Sequence, residues 1–187
     1  MPCLVASLYA QADRSDRMVV RVDETSSGPF GGQKSRSCLR IYSDSKVIYA
    51  EWSNSGATTV NAAGVVSRSE RTSAFTYKLD DGDLQELSSF LESKAVARLP
   101  ENFGPPHKPV DYFESVSVEI PRSRKDSKKI STREYYVADL TEKTQYPSAL
   151  VLLMDRIDQI EKTAASTGKP TEVPTDCSLK PSGQAAP

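Results

Sequence analysis

The chain of 187 residues carries 24 Lys and Arg against 25 Asp and Glu, so a net charge of −1 offers nucleic acid or an anionic surface no global attraction. Its 37% hydrophobic and 7% aromatic content suffices for one modest core with flanking segments. No apolar run reaches the roughly 20 residues of a membrane-spanning helix, which excludes a helical transmembrane segment in this sequence.

At the start, Leu4, Val5, Ala6 and Leu8 lead into Ala10-Gln11-Ala12 and then the charged Asp13-Arg14-Ser15-Asp16-Arg17. Small-x-small before a polar stretch is the pattern of a signal peptidase site, whose pockets admit little more than a methyl group. We therefore expect residues 1–12 to be the remnant of a longer signal peptide and the chain to be periplasmic or secreted; without such a signal it would be cytoplasmic. Met1-Pro2 lacks the residues of a lipobox, so Cys3 is not read as a lipid acceptor. Removal of residues 1–12 would leave Cys38 and Cys177, a pair that in an exported protein invites a disulfide. The placement of Cys177 among prolines and serines argues instead for two free thiols, and the sequence leaves both alternatives open.

Residues 13–37 read as one strand, "MVVRVD", followed by the Gly- and Ser-rich loop from Glu24 to Ser37. Gly28-Pro29-Phe30-Gly31-Gly32 lacks Gly-x-Gly-x-x-Gly spacing and precedes a strand, so it offers a phosphate no helix N-terminus. The main domain is expected over 38–164. "CLRIYS" and "KVIYAEW" flank the turn residues Asp44-Ser45, and "SAFTYKL" at 73–79 alternates Phe75, Tyr77 and Leu79 on one face. Leu84, Leu87, Phe90, Leu91 and Val96 then recur at three or four, which predicts a helix with Asp80 or Asp81 as N-cap and Pro100 beyond its end. "ESVSVEI" points Val116, Val118 and Ile120 inward and Ser115, Ser117 and Glu119 outward, the mark of a sheet covered on one side. A basic turn, "PRSRKDSKK", joins it to the strand candidate "ISTREYYVADL". Pro147 opens a second helix with Leu150, Leu153, Met154, Ile157 and Ile160 as its stripe. From about Ala165 the prolines, serines and threonines predict a disordered tail over 165–187. The order gives an α+β domain, a mainly antiparallel sheet of about five or six strands with two helices packed on one face.

The runs "CLRIYSDSKVIYAEW", "YKLDDGDLQELSSFLESKAVARL" and "YPSALVLLMDRIDQIE", spanning 38–162, together resemble small exported bacterial α+β proteins of unknown function. The resemblance implies export and the fold class, and it carries no catalytic residue to transfer.

The candidate chemistry is sparse. His107 is the single histidine; with Cys38 and Asp111 it would supply the nucleophile, base and orienting acid of a thiol-dependent hydrolase. Pro105, Pro106 and Pro109 hold its segment extended, which suits a surface connection better than an oriented base. One histidine and no close Cys pair leave no zinc spacing, and Asp80-Asp81-Gly82-Asp83 runs straight into a helix instead of a calcium loop, so no metal or cofactor is expected. Arg122, Arg124, Lys125, Lys128, Lys129 and Arg133 concentrate positive charge at one hairpin, a candidate contact for anionic envelope material or a solvated tip. The expected function is a noncatalytic exported domain that binds another macromolecule or serves the cell envelope structurally, with no nucleic-acid partner. The thiol hydrolase is the alternative. An inhibitor-like module, inserting a loop such as 24–37 or 101–110, is a third class.

Overall fold

β-Branched and aromatic residues alternating with polar ones dominate 18–79 and 113–135, and the computed structural model turns them into one large sheet. It describes residues 17–27, 33–60, 66–104, 113–123, 126–135 and 146–179. Among the described residues the strands are β1 (Met18–Ser27), β2 (Gln33–Tyr42), β3 (Lys46–Val60), β4 (Val66–Lys78), β5 (Asn102–Phe103), β6 (Phe113–Pro121), β7 (Ser127–Tyr135) and β8 (Lys169–Pro170). The helices are α1 (Asp81–Leu91), α2 (Lys94–Ala97) and α3 (Ser148–Thr167). The eight strands lie in the order β5-β7-β6-β1-β2-β3-β4-β8. Neighbours run antiparallel except β5, which lies parallel to β7.

The α+β class and the mainly antiparallel sheet stand, and the expected five or six strands become eight. The additional strands β5 and β8 have two residues each and sit at the sheet edges, too short to show any periodicity. The boundary placed at residue 38 also moves. β1 lies between β6 and β2 at the centre of the sheet, so residues from Met18 onward belong to the domain. Most of the expected 24–37 loop is strand, with Thr25 opposite Arg36 and Ser26 opposite Ser35; residues 28–32 lie outside the described part. A 24–37 loop as an inserting element is thereby corrected. Residues 1–16, which include the expected signal remnant at 1–12, are also outside it.

One face of the sheet carries the helices. Val20 and Val22, Leu39 and Ile41, Val47 and Tyr49, with Val116, Val118 and Ile120, meet Leu87, Leu91, Leu150, Leu153 and Ile157 in a single core. Of the predicted stripes, Leu87, Leu91, Val96, Leu150, Leu153, Ile157 and Ile160 are buried, while Leu84, Phe90 and Met154 pack against this core partly buried. The first helical region is divided, however: α1 ends at Leu91, and Ser93 opens α2 by accepting from the Val96 amide at 3.3 Å. A serine at this position competes for the backbone and starts a new helix instead of continuing the old one. At the start of α1, Asp80 accepts from the Gly82 amide at 2.8 Å, as expected of an N-cap. Asp80→Ala should cost about 1 kcal/mol, read as a lower denaturation midpoint with an unchanged m-value. An unchanged midpoint would show that Asp81 and Asp83 satisfy the helix end without it.

The expected disordered tail is corrected over 165–179. α3 continues to Thr167, β8 pairs with Phe75 and Thr76 of β4, and Thr171 donates its amide to Ala74 at 3.0 Å. Gly168 makes this exit. A Cβ there would lie 2.9 Å from the Phe75 Cβ, so the close approach of helix end to strand requires its absence. The chain beyond crosses the helix-free face, where Cys177 and Leu179 are buried with Cys38, Ala50, Trp52 and Ala74 in a second, separate cluster. Residues 180–187 lie outside the described part.

Candidate functional site

The helix-free face is divided into two halves. Side chains alternate across a strand, so Cys38 and Arg40 of β2 point away from the helices while Leu39 and Ile41 point toward them. Over β2, β3 and β4 this face is covered by the C-terminal strap. Its fixed point is a disulfide between Cys38 and Cys177, with Cα atoms 5.9 Å apart and 139 residues between them in sequence.

Beside it lies Arg40, with its side chain fully buried. Every guanidinium donor has a partner: Nε gives to Asp176 Oδ2 (2.8 Å), one terminal nitrogen to the carbonyls of Val22 and Leu39 (both 2.9 Å), the other to Asp23 Oδ1 (2.9 Å) and the Asp176 carbonyl (3.3 Å). Such a buried charge is tolerated because nothing on it is left unsatisfied. Burial alone would raise the Asp176 carboxyl, but the Arg40 hydrogen bond and charge, with Arg21 beyond, hold it below its ordinary value. Arg36 adds a bond to the Ser178 carbonyl at 2.9 Å.

This geometry bears directly on the thiol-hydrolase expectation. Cys38 is 1% exposed and bonded to Cys177, so it is not a free nucleophile, and the alternative loses its first member. His107 and Asp111 lie outside the described residues, as does most of the 101–110 loop.

The other half of the face, over β6 and β7, lies beyond β1, whose Arg21 still reaches the Asp176 carbonyl of the strap at 3.3 Å. Register places Thr25 beside Ser115, Asp23 beside Ser117 and Arg21 beside Glu119; across β6, Arg133, Ser131 and Lys129 follow in the same rows. Two members of the predicted basic group, Lys129 and Arg133, therefore share this polar face, and Arg122 is exposed at the end of β6. Lys128 does not join them. It has the parity of the core residue Ile130, and its ammonium donates to the Leu99 carbonyl at 2.6 Å, tying the hairpin to the end of α2. Arg124 and Lys125 are outside the described residues.

Two features escaped the sequence reading. Between α3 and the sheet, Glu24 of β1, Glu51 of β3 and Glu161 of α3 come together. Ser37 donates to Glu24 at 3.1 Å and the Tyr49 hydroxyl to Glu51 at 3.2 Å, while Glu161 Oε1 is buried with no hydrogen-bond partner. Burial, then the charges of Glu24, Asp158 and Glu51, push Glu161 up to about 9. Burial and the nearby Glu114 and Asp158 raise Glu24 also, against the Ser37 bond. At neutral pH Glu161 thus holds its proton, which avoids an uncompensated charge under the helix. The signal was present in the strand parity, since Glu24 follows Val20 and Val22, and Glu51 follows Val47 and Tyr49.

The second feature is a cleft of about 510 Å³ between α1, α3 and β4, lined by Tyr77, Asp83, Glu86, Arg156, Gln159 and Thr163 among others. Arg156 lies over the Phe90 ring at 5.1 Å and 3.8 Å from Glu86. The Tyr77 hydroxyl is buried without a partner, and burial with the Asp83 charge pushes it up to about 12. No group of three or more His, Cys, Asp or Glu among the described residues is arranged to hold a metal ion, and no described helix is long and apolar enough to cross a membrane. Comparison of the chain with family models, with curated proteins and with solved structures gives no match.

Proposed function

We propose that this chain is a noncatalytic exported domain that binds an anionic component of the cell envelope through the open half of its sheet. The observation carrying the export part is the Cys38–Cys177 bond, since disulfides persist in oxidising compartments and are rare where glutathione and thioredoxin keep thiols reduced. The signal-like start and the resemblance to small exported proteins support the same reading. The binding surface is the rigid polar sheet face carrying Lys129 and Arg133 with Ser115, Ser117 and Ser131, Arg122 standing at its end. Strand pairing sets Lys129 opposite Glu119 and Arg133 opposite Ser115, so the face holds its cations in fixed rows, and short serines let a polymer or headgroup approach the backbone. The net charge of −1 leaves this local patch, not the whole molecule, to supply the attraction.

The test has two arms. Fractionation of intact cells should place the protein in the periplasmic or extracellular fraction; recovery with cytoplasmic markers would reject export. Replacing Arg122, Lys129 and Arg133 with Ser should weaken retention on anionic vesicles or cell-wall material and leave the melting temperature nearly unchanged, because exposed charges contribute little to stability. Raising salt should weaken the wild type similarly by screening. Retention unaffected by both would remove this face as the binding surface.

A further inference from the structure

The strap from Gly168 to Leu179 is attached to the sheet in an uneven way. Its first residues join the ladder through β8 and the Thr171 amide. Past Thr171, its backbone bonds turn inward: Cys177 donates to Pro174 and Leu179 to Cys177, each at 3.0 Å. What holds this distal part to the sheet is side-chain contact: the Asp176 ion pairs, the Arg36 bond to Ser178, the two buried residues Cys177 and Leu179, and the disulfide. Only the disulfide is covalent. Beneath lies Trp52, the single tryptophan of the chain, 2% exposed and clustered with Cys38, Cys177 and Leu179. The main core, by contrast, is on the opposite face and includes none of the strap beyond α3.

We infer that residues 172–179 form a redox-latched strap: reduction of the Cys38–Cys177 bond by a dithiol releases it from the helix-free face and uncovers Trp52, while sheet and helices stay folded. In the reaction a thiolate of the reductant attacks Cys177, the less buried of the pair at 8% against 1% exposure, and Cys38 leaves as a thiolate that takes up a proton. The second thiol of the reductant then displaces Cys177 from the mixed disulfide. Two electrons and two protons pass to the protein, and the reductant departs as its own disulfide. Oxidation by a disulfide of the same class reverses the step and closes the strap. Once the bond is open, Arg40 exchanges Asp176 for water and keeps Asp23 and the Val22 and Leu39 carbonyls, so the sheet side loses little.

This inference shares the Cys38–Cys177 bond with the export reading, whereas the binding face proposed above rests on Lys129 and Arg133 of β7, so loss of anion retention and failure of the latch are read separately. The test uses the full-length protein and its single tryptophan. On titration with dithiothreitol, Trp52 emission should shift to the red and become quenchable by acrylamide. Cys38 should become labelled by maleimide, with far-UV circular dichroism preserved, and reoxidation should restore the starting spectrum. Cys177→Ser should show the open spectrum without reductant. Reduced protein whose Trp52 stays shielded and whose Cys38 resists maleimide would show that the noncovalent contacts suffice, and would overturn the latch. Loss of far-UV signal on reduction would overturn it equally, by making the bond a staple of the whole fold.

Discussion

Ending the chain at Thr167 should lower its melting temperature by roughly 10 °C while leaving a folded, cooperative domain. The removed strap buries few side chains, but it carries Cys177, and with it the cross-link that closes 139 residues of sequence. A bridge of that span restricts the unfolded chain by an amount worth typically 2–4 kcal/mol. At this chain length each kcal/mol moves the midpoint about 2–4 °C. Arg40 loses Asp176 in the truncated chain, yet Asp23 and water replace the missing partner, so the deficit should stay near that of the cross-link. Full-length protein treated with dithiothreitol should therefore melt close to the truncated form. A truncated chain that melts with the oxidised wild type would mean that the strap contributes nothing, and one that fails to fold would mean that it is integral to the core.

Glu161→Gln should stabilise the protein at alkaline pH and leave it nearly unchanged near pH 4. The folded-state carboxyl, at about 9, lies above its ordinary value of 4.5. Its favourable contribution is fully present below the lower value and is lost as pH rises through the window between them, because the unfolded chain gives up the proton first. Each unit of pKa corresponds to about 1.4 kcal/mol, so even a fraction of this window makes a gain of about 2 kcal/mol at pH 9 in the glutamine variant. Glu24, raised in the same direction, keeps part of the slope in the variant. Asp176 acts oppositely. Its lowered carboxyl stabilises the fold above its ordinary value of 3.8 and ceases to do so as pH falls through the lower folded value, which loosens the strap from Arg40 in acid. Wild-type stability should accordingly be greatest in mildly acidic solution. Denaturation midpoints of wild type and Glu161→Gln between pH 4 and 9 decide it, and parallel curves would remove the buried carboxyl from the account.

The elements legible in the sequence were those whose pattern is local. Val116, Val118 and Ile120 alternate within one strand, Asp80 caps its own helix, and Leu150, Leu153 and Ile157 repeat at the helical period, so each could be read without knowing its partner. The strap had no local signal. Cys177, Asp176 and Ser178 are anchored by Cys38, Arg40 and Arg36, residues 139, 136 and 142 positions away, and their own neighbourhood has the composition of a disordered tail. The basic hairpin was legible as composition and not as geometry, because the period of two sends Lys128 to the Leu99 carbonyl and Lys129 to the open face. Glu24 and Glu51 were concealed differently. Glu24 reads as the end of its strand and Glu51 lies inside the expected "KVIYAEW" strand, and only the placement of α3 above them shows that both meet Glu161 under cover.

The C-terminal strap is fastened across the sheet by the Cys38–Cys177 bond, and a nonreducing peptide map of the protein tests this most directly. Cells producing it should be lysed in the presence of an alkylating reagent, so that free thiols are blocked before they can exchange. The structure predicts a peptide pair joining Cys38 to Cys177, unalkylated at both and separated by reductant. Recovery of Cys38 and Cys177 in separate peptides, each alkylated, would contradict it.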